Sequence, residues 1–372
     1  MSEIKAGICI LSGIYPPDTG GPSNFAITFS QFATKNSYGV TVYSYTDGES
    51  RSHSCDLVAT TLISRRLWLP LRYFRMILQI QAASRKGLKI LANGCFVELA
   101  IATLATRLDY VTKVPGDIVW ERARNLGKTD LSIEEFQSAP LKFKMRIFRY
   151  LFHRALRNSK CVIVPSRQLA EFCLRWGVEQ EKIKLIPNSI STELFQPERS
   201  LDKKFDFVCV SRLVPWKGVR EVAQAAIALN CSLLIIGDGP EKESLEKMTF
   251  GYTDKIKFTG SLEQSEIITY LQESRVFVLN SSFEATSYAL LEAMAVGIPG
   301  IANYNTGSEE IITNNVDGFL CGGDSAKSVH QAMEIALTNP SLITAMGMRA
   351  REKIISEFDV ERNFRKILSV LQ

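Results

Sequence analysis

Histidine is scarce in this chain. Three occur in 372 residues, at His53, His153 and His330, too far apart in sequence to suggest a metal-ligand cluster. The eight cysteines (Cys9, Cys55, Cys95, Cys161, Cys173, Cys209, Cys231 and Cys321) contain no C-x-x-C pair. Neither a zinc ribbon nor a redox motif is therefore indicated, and reduced thiols in a cytosolic protein are expected. Long hydrophobic runs are also missing. The longest, CFVELAIATLATRL, is interrupted by Glu98 and is too short to cross a bilayer. The opening MSEIKAGICILSG carries an early acid and does not read as a secretory signal. An integral membrane protein is not expected. No low-complexity tract or short repeat is visible. Charge of one sign does not dominate either: the net +5 suits an anionic ligand, a membrane surface or nucleic acid, and discriminates little.

What is present is ample apolar material, 46% of a chain too long for one ordinary core, which points to two domains. Short β-rich runs alternate with amphipathic helical runs. In the second half FDFVCVS (205–211), SLLIIGDG (232–239), KIKFTG (255–260), VFVLNS (276–281) and IPGIANY each neighbour a helical stretch. Runs this apolar read as strands buried on both faces, so an α/β fold with parallel, doubly wound sheets is expected. The first half opens the same way, with AGICILSG as a strand and GPSNFAITFSQFATKN as a helix. VTVYS, LKILANG and CVIVPS supply further strands. The polar stretch LIPNSISTELFQPERSLDKK (185–204), with two prolines, is the expected linker. The domains would then be 1–190 and 200–355, facing each other across a central cleft, with a helix at about 356–372 packing back on the first. Ligands of such sheets bind at the C-terminal ends of the strands.

Three segments at such ends carry chemistry. In YPPDTGGPSNFA, Gly20 and Gly21 directly precede a helix, where paired glycines admit a ligand and the helix N-terminus favours an anion. A flexible turn would look the same. In SRLVPWKGV (211–219), Arg212 offers a fork and Lys217 a point charge to a diphosphate, although solvated loop cations would also fit. In SSFEATSYALLEAMAVGIPGIA (281–302), Glu284 and Glu292 stand eight residues apart. With a helix beginning near Ser287, they are separated by about 12 Å of backbone. That exceeds the roughly 5–9.5 Å of a glycosidase carboxylate pair. Two ends of an extended ligand fit better than an acid/base pair or two solvated charges. Ser281, Ser282, Thr286 and Ser287 lie at the same strand end.

These residues resemble the retaining glycosyltransferases of family 4, whose GT-B architecture pairs two Rossmann-like domains. The family's E-x(7)-E is matched by Glu284 and Glu292, its basic pair by Arg212 and Lys217, and its glycine loop by TGGPSNFA. The resemblance runs through VIVPSRQLAEFCLRWGVEQEKIKLIPNSIS, LLIIGDGPEKESLE, IKFTGSLEQSEI and GSEEIITNNVDGFL, covering 160–330 almost without gaps. It implies a nucleotide-sugar donor whose diphosphate is held by Arg212 and Lys217, with Gly20 and Gly21 on the phosphate side. Glu284 would contact the donor sugar, Glu292 the ribose, and Thr286 and Ser287 would complete the donor site. No cofactor and no metal are implied, in keeping with the absence of a D-x-D motif. The sequence departs from the family in two places. Ala285-Thr286-Ser287 replaces the frequent Gly-Phe-Gly, and VTKVPGDIVWERARN (111–125) lacks the family's histidine. Asp117 is the candidate there, with Lys113 and Glu121 nearby.

On this reading the N-terminal domain binds the acceptor. Two of its segments are both basic and apolar. SRRLWLPLRYFRMILQ (64–79) carries Arg65, Arg66, Arg72 and Arg75; PLKFKMRIFRYLFHRAL (140–156) carries Lys142, Lys144, Arg146, Arg149 and Arg154. Such segments suit an anionic membrane surface, and no nucleic-acid recognition motif accompanies them. The expected protein is a cytoplasmic, peripheral glycosyltransferase acting on a glycan or lipid-linked acceptor in envelope polysaccharide or glycolipid synthesis. The alternatives are a catalytically silent nucleotide-sugar-binding subunit and another sugar-nucleotide enzyme such as an epimerase.

Overall fold

The computed structural model describes residues 5–18, 20–55, 58–198, 201–304, 306–322 and 325–372. Thr19 of the glycine loop and residues 199–200 of the expected linker lie outside them. The chain divides into two compact units, Met1–Pro187 with Asn363–Gln372, and Asn188–Arg362.

Unit 1 is built on strands β1 (Lys5–Ser12), β2 (Tyr38–Thr46), β3 (Arg51–Cys55), β4 (Val58–Ser64), β5 (Lys89–Asn93), β6 (Tyr110–Lys113), β7 (Cys161–Val164) and β8 (Ile183–Leu185). They form one sheet in the order β3-β4-β2-β1-β5-β6-β7-β8, parallel except for the β3–β4 hairpin. Its helices are α1 (Gly21–Lys35), α2 (Leu69–Arg85), α3 (Phe96–Ala105), α4 (Ile118–Asn125), α5 (Ile133–Ser138), α6 (Phe143–Arg157) and α7 (Arg167–Arg175). The β3–β4 hairpin and the short β6 and β8 escape sequence reading. RSHSC is polar and lies at the sheet edge, and YVTK and IKL are too short to show a period.

Unit 2 holds β9 (Phe205–Val210), β10 (Leu233–Ile236), β11 (Ile256–Gly260), β12 (Ser274–Leu279), β13 (Gly300–Asn303) and β14 (Gly318–Cys321). All its strand pairs are parallel, in the order β11-β10-β9-β12-β13-β14. Helices α8 (Val219–Leu229), α9 (Lys242–Met248), α10 (Gln264–Gln272), α11 (Tyr288–Ala295), α12 (Ser325–Thr338) and α13 (Pro340–Glu357) cover both faces, followed by α14 (Val360–Leu371). Successive strand residues enter opposite cores. Phe207, Leu233, Ile235, Val276 and Val278 pack with α8 and α12, while Val208, Leu234, Ile236, Phe277 and Leu279 pack with α11. This two-sided burial is why the strands read as unbroken apolar runs and not as alternating ones. The order in which strands are added reverses between β9 and β12, the topological switch point where such folds leave a crevice.

The expected linker is more ordered than its polarity suggests. Ile190 and Phe195 are buried in the unit 2 core, and the Ile190 N–H donates to the Phe358 carbonyl at 3.0 Å. The chain therefore passes from unit 1 to unit 2 at Pro187–Asn188 and returns at Arg362–Asn363. The last ten residues are anchored in unit 1 by Phe364, whose ring lies 5.8, 5.2 and 5.5 Å from those of Phe25, Phe29 and Phe32 of α1. Phe364→Ala should cost about 3–5 kcal/mol of unit 1 stability, because a fully buried aromatic is removed from a packed cluster. Urea unfolding monitored by fluorescence checks this; an unchanged midpoint would show that the returning helix is dispensable.

Candidate functional site

In unit 2 the groups singled out from sequence converge on the switch point. β9 ends at Val210, and the loop after it carries Arg212 and, in the 3-10 turn Pro215–Lys217, Lys217. β12 ends at Leu279, and the loop after it carries Glu284. Lys217 Nζ and Glu284 Oε1 form an ion pair, with side chains only 16% and 13% exposed. The exposed Arg212 guanidinium stands 5.9 Å from the centroid of the Trp216 ring, at the outer limit of a cation–π contact. Three cross-loop bonds brace the arrangement. The Ser282 N–H donates to the Trp216 carbonyl at 2.8 Å, the Gly307 N–H to the Glu284 carbonyl at 2.6 Å, and the Leu213 N–H to the Asp238 carbonyl at 2.8 Å.

Two glycines make these approaches possible. Gly218 adopts φ +60, and a Cβ there would lie 2.3 Å from the Asn280 carbonyl oxygen. A Cβ on Gly307 would lie 1.9 Å from the carbonyl oxygen of Ala285. Any side chain would push apart the loops that bring Lys217 to Glu284. Sequence reading gave these glycines no role, because the closeness they permit is between segments distant in the chain.

Helix α11 begins as expected, with Ser287 as its N-cap, its hydroxyl accepting from the Leu290 N–H at 3.3 Å. Thr286 Oγ donates to the Ala285 carbonyl at 2.6 Å. In this structure the Ser287 hydroxyl serves the helix start and the Thr286 hydroxyl bonds within the loop before it. Glu292 lies one face further in, 8% exposed, and burial pushes its carboxyl up to about 8. One turn earlier on the same face is Tyr288, whose hydroxyl is buried and unpartnered, as are Asn280 Oδ1, Ser281 Oγ and Ser308 Oγ. These four polar atoms stand at or just beyond the strand ends and suit a ligand or water. Asn280, Tyr288 and Ser308 were not anticipated. The i, i+4 spacing to Glu292 is the one signal that could have found Tyr288.

In unit 1 the Gly20 loop follows β1. Gly20 has φ +144, accessible in practice only to glycine, and a Cβ would meet Ile14 Cδ1 at 2.9 Å. Gly21 opens α1, with Pro22 in the first turn. The surrounding loop is pinned from three sides. Arg65 donates to Asp18 at 2.6 Å, to Asp47 at 3.0 Å and to the Gly13 carbonyl at 2.8 Å, while Asn93 Nδ2 donates to the Pro22 carbonyl at 3.1 Å. Arg65 is thus a loop-positioning residue, not the surface cation expected from its segment.

Asp117 also has a different task from the one expected. It caps α4, Oδ1 accepting from the N–H groups of Val119 and Trp120 at 2.9 and 3.1 Å and Oδ2 from Gln137 at 2.9 Å. Burial raises its pKa, against the lowering effect of these bonds. Both carboxylate oxygens are committed and the side chain is 2% exposed, so the group is a helix cap and does not face a reacting centre. Lys113, at the end of β6, is buried over the Phe25 ring at 4.6 Å, and burial lowers its pKa to about 7.

Among the described residues no group of three His, Cys, Asp or Glu is arranged to hold a metal, and no helix is long and apolar enough to cross a membrane. A separate cavity of about 710 Å³ opens at the opposite, N-terminal edge of the unit 2 sheet, beside Arg275 and Pro299, away from these groups.

Two family models tile the chain. "Glycosyltransferase Family 4" matches residues 19–194 and "Glycosyl transferases group 1" matches residues 191–353. The chain belongs to the family 4 glycosyltransferases. Among curated relatives, it is 27% identical over 255 residues to the UDP-Gal:alpha-D-GlcNAc-diphosphoundecaprenol alpha-1,3-galactosyltransferase of Escherichia coli, covering 62% of this chain and 65% of that one. It is 27% identical over 219 residues to a GDP-mannose-dependent alpha-(1-6)-phosphatidylinositol monomannoside mannosyltransferase of Mycobacterium tuberculosis, covering 52% and 57%. The match thus spans less than two thirds of each relative. Anabaena HepE, solved in complex with UDP and glucose, superimposes with a TM-score of 0.78 at 19% identity over 99% of both chains, which shows the shared GT-B fold.

The burial of Glu292 has a measurable consequence. Its folded pKa lies above that of an ordinary glutamate, so the folded state keeps a proton that the unfolded state has released. The contribution of Glu292 to stability should be fullest below about pH 4.5 and fall progressively to about pH 8, by up to roughly 4–5 kcal/mol. In Glu292→Gln this part of the pH dependence should vanish. Denaturation at several pH values compares the two; identical slopes would mean that Glu292 is not the buried proton carrier.

Proposed function

We propose that this protein is a retaining glycosyltransferase that moves a sugar from a nucleotide-sugar donor to a lipid-linked or glycan acceptor, without a metal cofactor. The observation that carries the reading is the Lys217–Glu284 pair at the switch point of the unit 2 sheet, with Arg212 in the same loop as Lys217 and Glu292 buried in α11, the helix that follows the Glu284 loop. Lys217 and Glu284 neutralise each other there. A diphosphate competes with Glu284 for the ammonium group, while sugar hydroxyls donate to the released carboxylate. In the transfer step the bond from the anomeric carbon to the diphosphate oxygen breaks with its electron pair. Arg212 and Lys217 stabilise the charge that develops on the leaving group. The acceptor oxygen bonds to the same face, and its proton passes to the departing phosphate. Glu292 accepts from the ribose hydroxyls. With Asp117 occupied as a cap, no side chain of unit 1 is assigned as a base.

That same occupation of Asp117 keeps one other reading in view, a nucleotide-sugar-binding subunit that does not transfer. A transfer assay with a panel of nucleotide sugars separates the two, and the anomeric configuration of the product tests retention. Glu284→Ala should lower turnover more than nucleotide affinity, and Glu292→Ala should weaken nucleotide binding. A lost charge-assisted hydrogen bond of Glu284 should cost about 1.5–3 kcal/mol, and a lost bond of Glu292, whose carboxyl burial favours in the neutral form, about 0.5–1.5 kcal/mol. Arg212→Ala and Lys217→Ala should weaken a nucleoside diphosphate more than the matching nucleoside. Wild-type kinetics in all four would reject the site. Chelator should leave activity intact; a loss restored by magnesium would contradict the metal-free step.

The acceptor preference follows from relatives whose printed substrates are a diphosphoundecaprenol and a phosphatidylinositol mannoside, and from the surface of unit 1. There Trp68, Phe74, Phe143 and Tyr150 are exposed beside Arg66, Arg75, Lys144 and Arg146. We read this face as one that lies on an anionic membrane, placing the enzyme at the cytoplasmic leaflet. Arg65, Arg72 and Arg149 are excluded from that face. Arg65 holds the glycine loop, Arg72 donates to the Arg65 carbonyl at 3.1 Å, and Arg149 donates to the Phe136 carbonyl at 2.9 Å. The protein should sediment with vesicles of anionic lipid and release as salt rises. Indifference to lipid charge would remove the membrane from the reading.

A further inference from the structure

One cavity of unit 1 has no part in the donor site. A groove of about 980 Å³ runs between α2, α4 and the start of α6, closed at one side by Phe136 of α5. Its apolar wall includes Leu69, Leu126 and Phe143, all exposed, the last by 70%. Its charged wall is formed by Arg122, Lys128, Lys142 and Lys144, and among the described residues no acidic side chain lines it. The Arg122 guanidinium is held 5.0 Å from the Phe148 ring centroid, which orients it without neutralising it.

The charge asymmetry is written into the chain. No Asp or Glu occurs between Asp56 and Glu98, nor between Glu135 and Glu171, and these acid-free stretches supply α2 and α6. A solvated basic helix face ordinarily intersperses acids and keeps its large apolar groups inward. This groove exposes leucine and phenylalanine against cations. A soluble anion would satisfy the lysines but leave the apolar wall wet, and a neutral hydrocarbon would leave four cations unused. A ligand that joins hydrocarbon to phosphate meets both walls, and the groove has the size of a small-molecule site.

We infer that the α2–α4–α6 groove holds the lipid end of the acceptor itself, its phosphate against Lys142, Lys144, Arg122 and Lys128 and its first hydrocarbon segment along Leu69, Leu126 and Phe143. This rests on the reading of unit 1 as the acceptor half. It goes beyond that reading by giving the acceptor's lipid a seat distinct from general adhesion to the membrane. The groove then discriminates among acceptors by the group that carries the sugar, before any sugar is recognised.

The test uses the whole protein and farnesyl phosphate as probe, with farnesol and inorganic phosphate as controls, read by isothermal titration. Farnesyl phosphate should bind, and neither control should bind at the same concentration. Lys142→Gln with Lys144→Gln should weaken it on the order of thirtyfold, from roughly 1 kcal/mol for each cation near a lipid phosphate. Leu126→Glu, at an exposed position that tolerates the change, should abolish binding by placing a like charge on the apolar wall. Both variants should keep the wild-type melting temperature, which separates a lost seat from a lost fold. Absence of binding, or equal binding to wild type and variants, overturns the inference. So does adhesion to phosphatidylglycerol vesicles without binding of farnesyl phosphate, which would make this face a bulk membrane surface. Displacement of the probe by single-stranded RNA with higher affinity would assign the groove to nucleic acid and overturn it as well. Failure of the glycosyltransferase reading shows itself elsewhere, as absence of sugar transfer, and leaves the titration interpretable.

Discussion

The ion pair between Lys217 and Glu284 ties together the two loops on which the unit 2 site depends. Each loop follows a strand flanking the switch point, so the pair exists only because β9 and β12 are neighbours in the sheet. Opposite charges so little exposed attract more strongly than on an open surface, and they hold the loops in register. The tight contacts at Gly218 and Gly307 leave the loops little freedom to separate. The pair that orders the site also has the two charges that a sugar diphosphate would meet, one for its phosphates and one for its hydroxyls.

Burial divides the remaining ionisable groups by task. Glu292 is held in a setting that favours its neutral form, beside an unpartnered tyrosine hydroxyl, which is costly without a compensating ligand. Asp117 is equally buried but fully hydrogen-bonded, and its effect is to start α4. Two carboxylates of similar exposure thus differ in meaning, and the difference lies in whether their neighbourhood is satisfied. Arg65 makes the same point among the cations. Its two aspartates and one carbonyl turn a basic residue of a membrane-like segment into the clasp of the glycine loop.

On the proposed reading the two units would divide the chemistry along the same lines. Unit 2 offers fixed charges at strand ends, as suits a compact, highly charged donor. Unit 1 offers an apolar groove rimmed by cations and a face with exposed aromatics, as suits a larger amphipathic acceptor. The returning C-terminal residues, anchored by Phe364 among three phenylalanines of α1, make the chain's end part of the first unit's core.

The amino-acid sequence by itself determined the α/β class, the parallel sheets and the donor-site candidates. Strands buried on both faces must be apolar throughout, and a helix cap followed by buried turns leaves a local signature at Ser287 and Glu292. Gly20, Arg212, Lys217 and Glu284 were legible for the same reason, since each stands just after an apolar strand. Tertiary structure alone decided which charges meet and which are already committed. The partners of Lys217, Asp117 and Arg65 lie 67, 20 and up to 52 residues away. Local pattern says nothing about such distances. The short β6 and β8, the polar edge strand β3 and the buried anchors Ile190 and Phe195 were hidden for a related reason. Their conformation is imposed by neighbours in the sheet or core, and their own few residues carry too little periodicity to announce it.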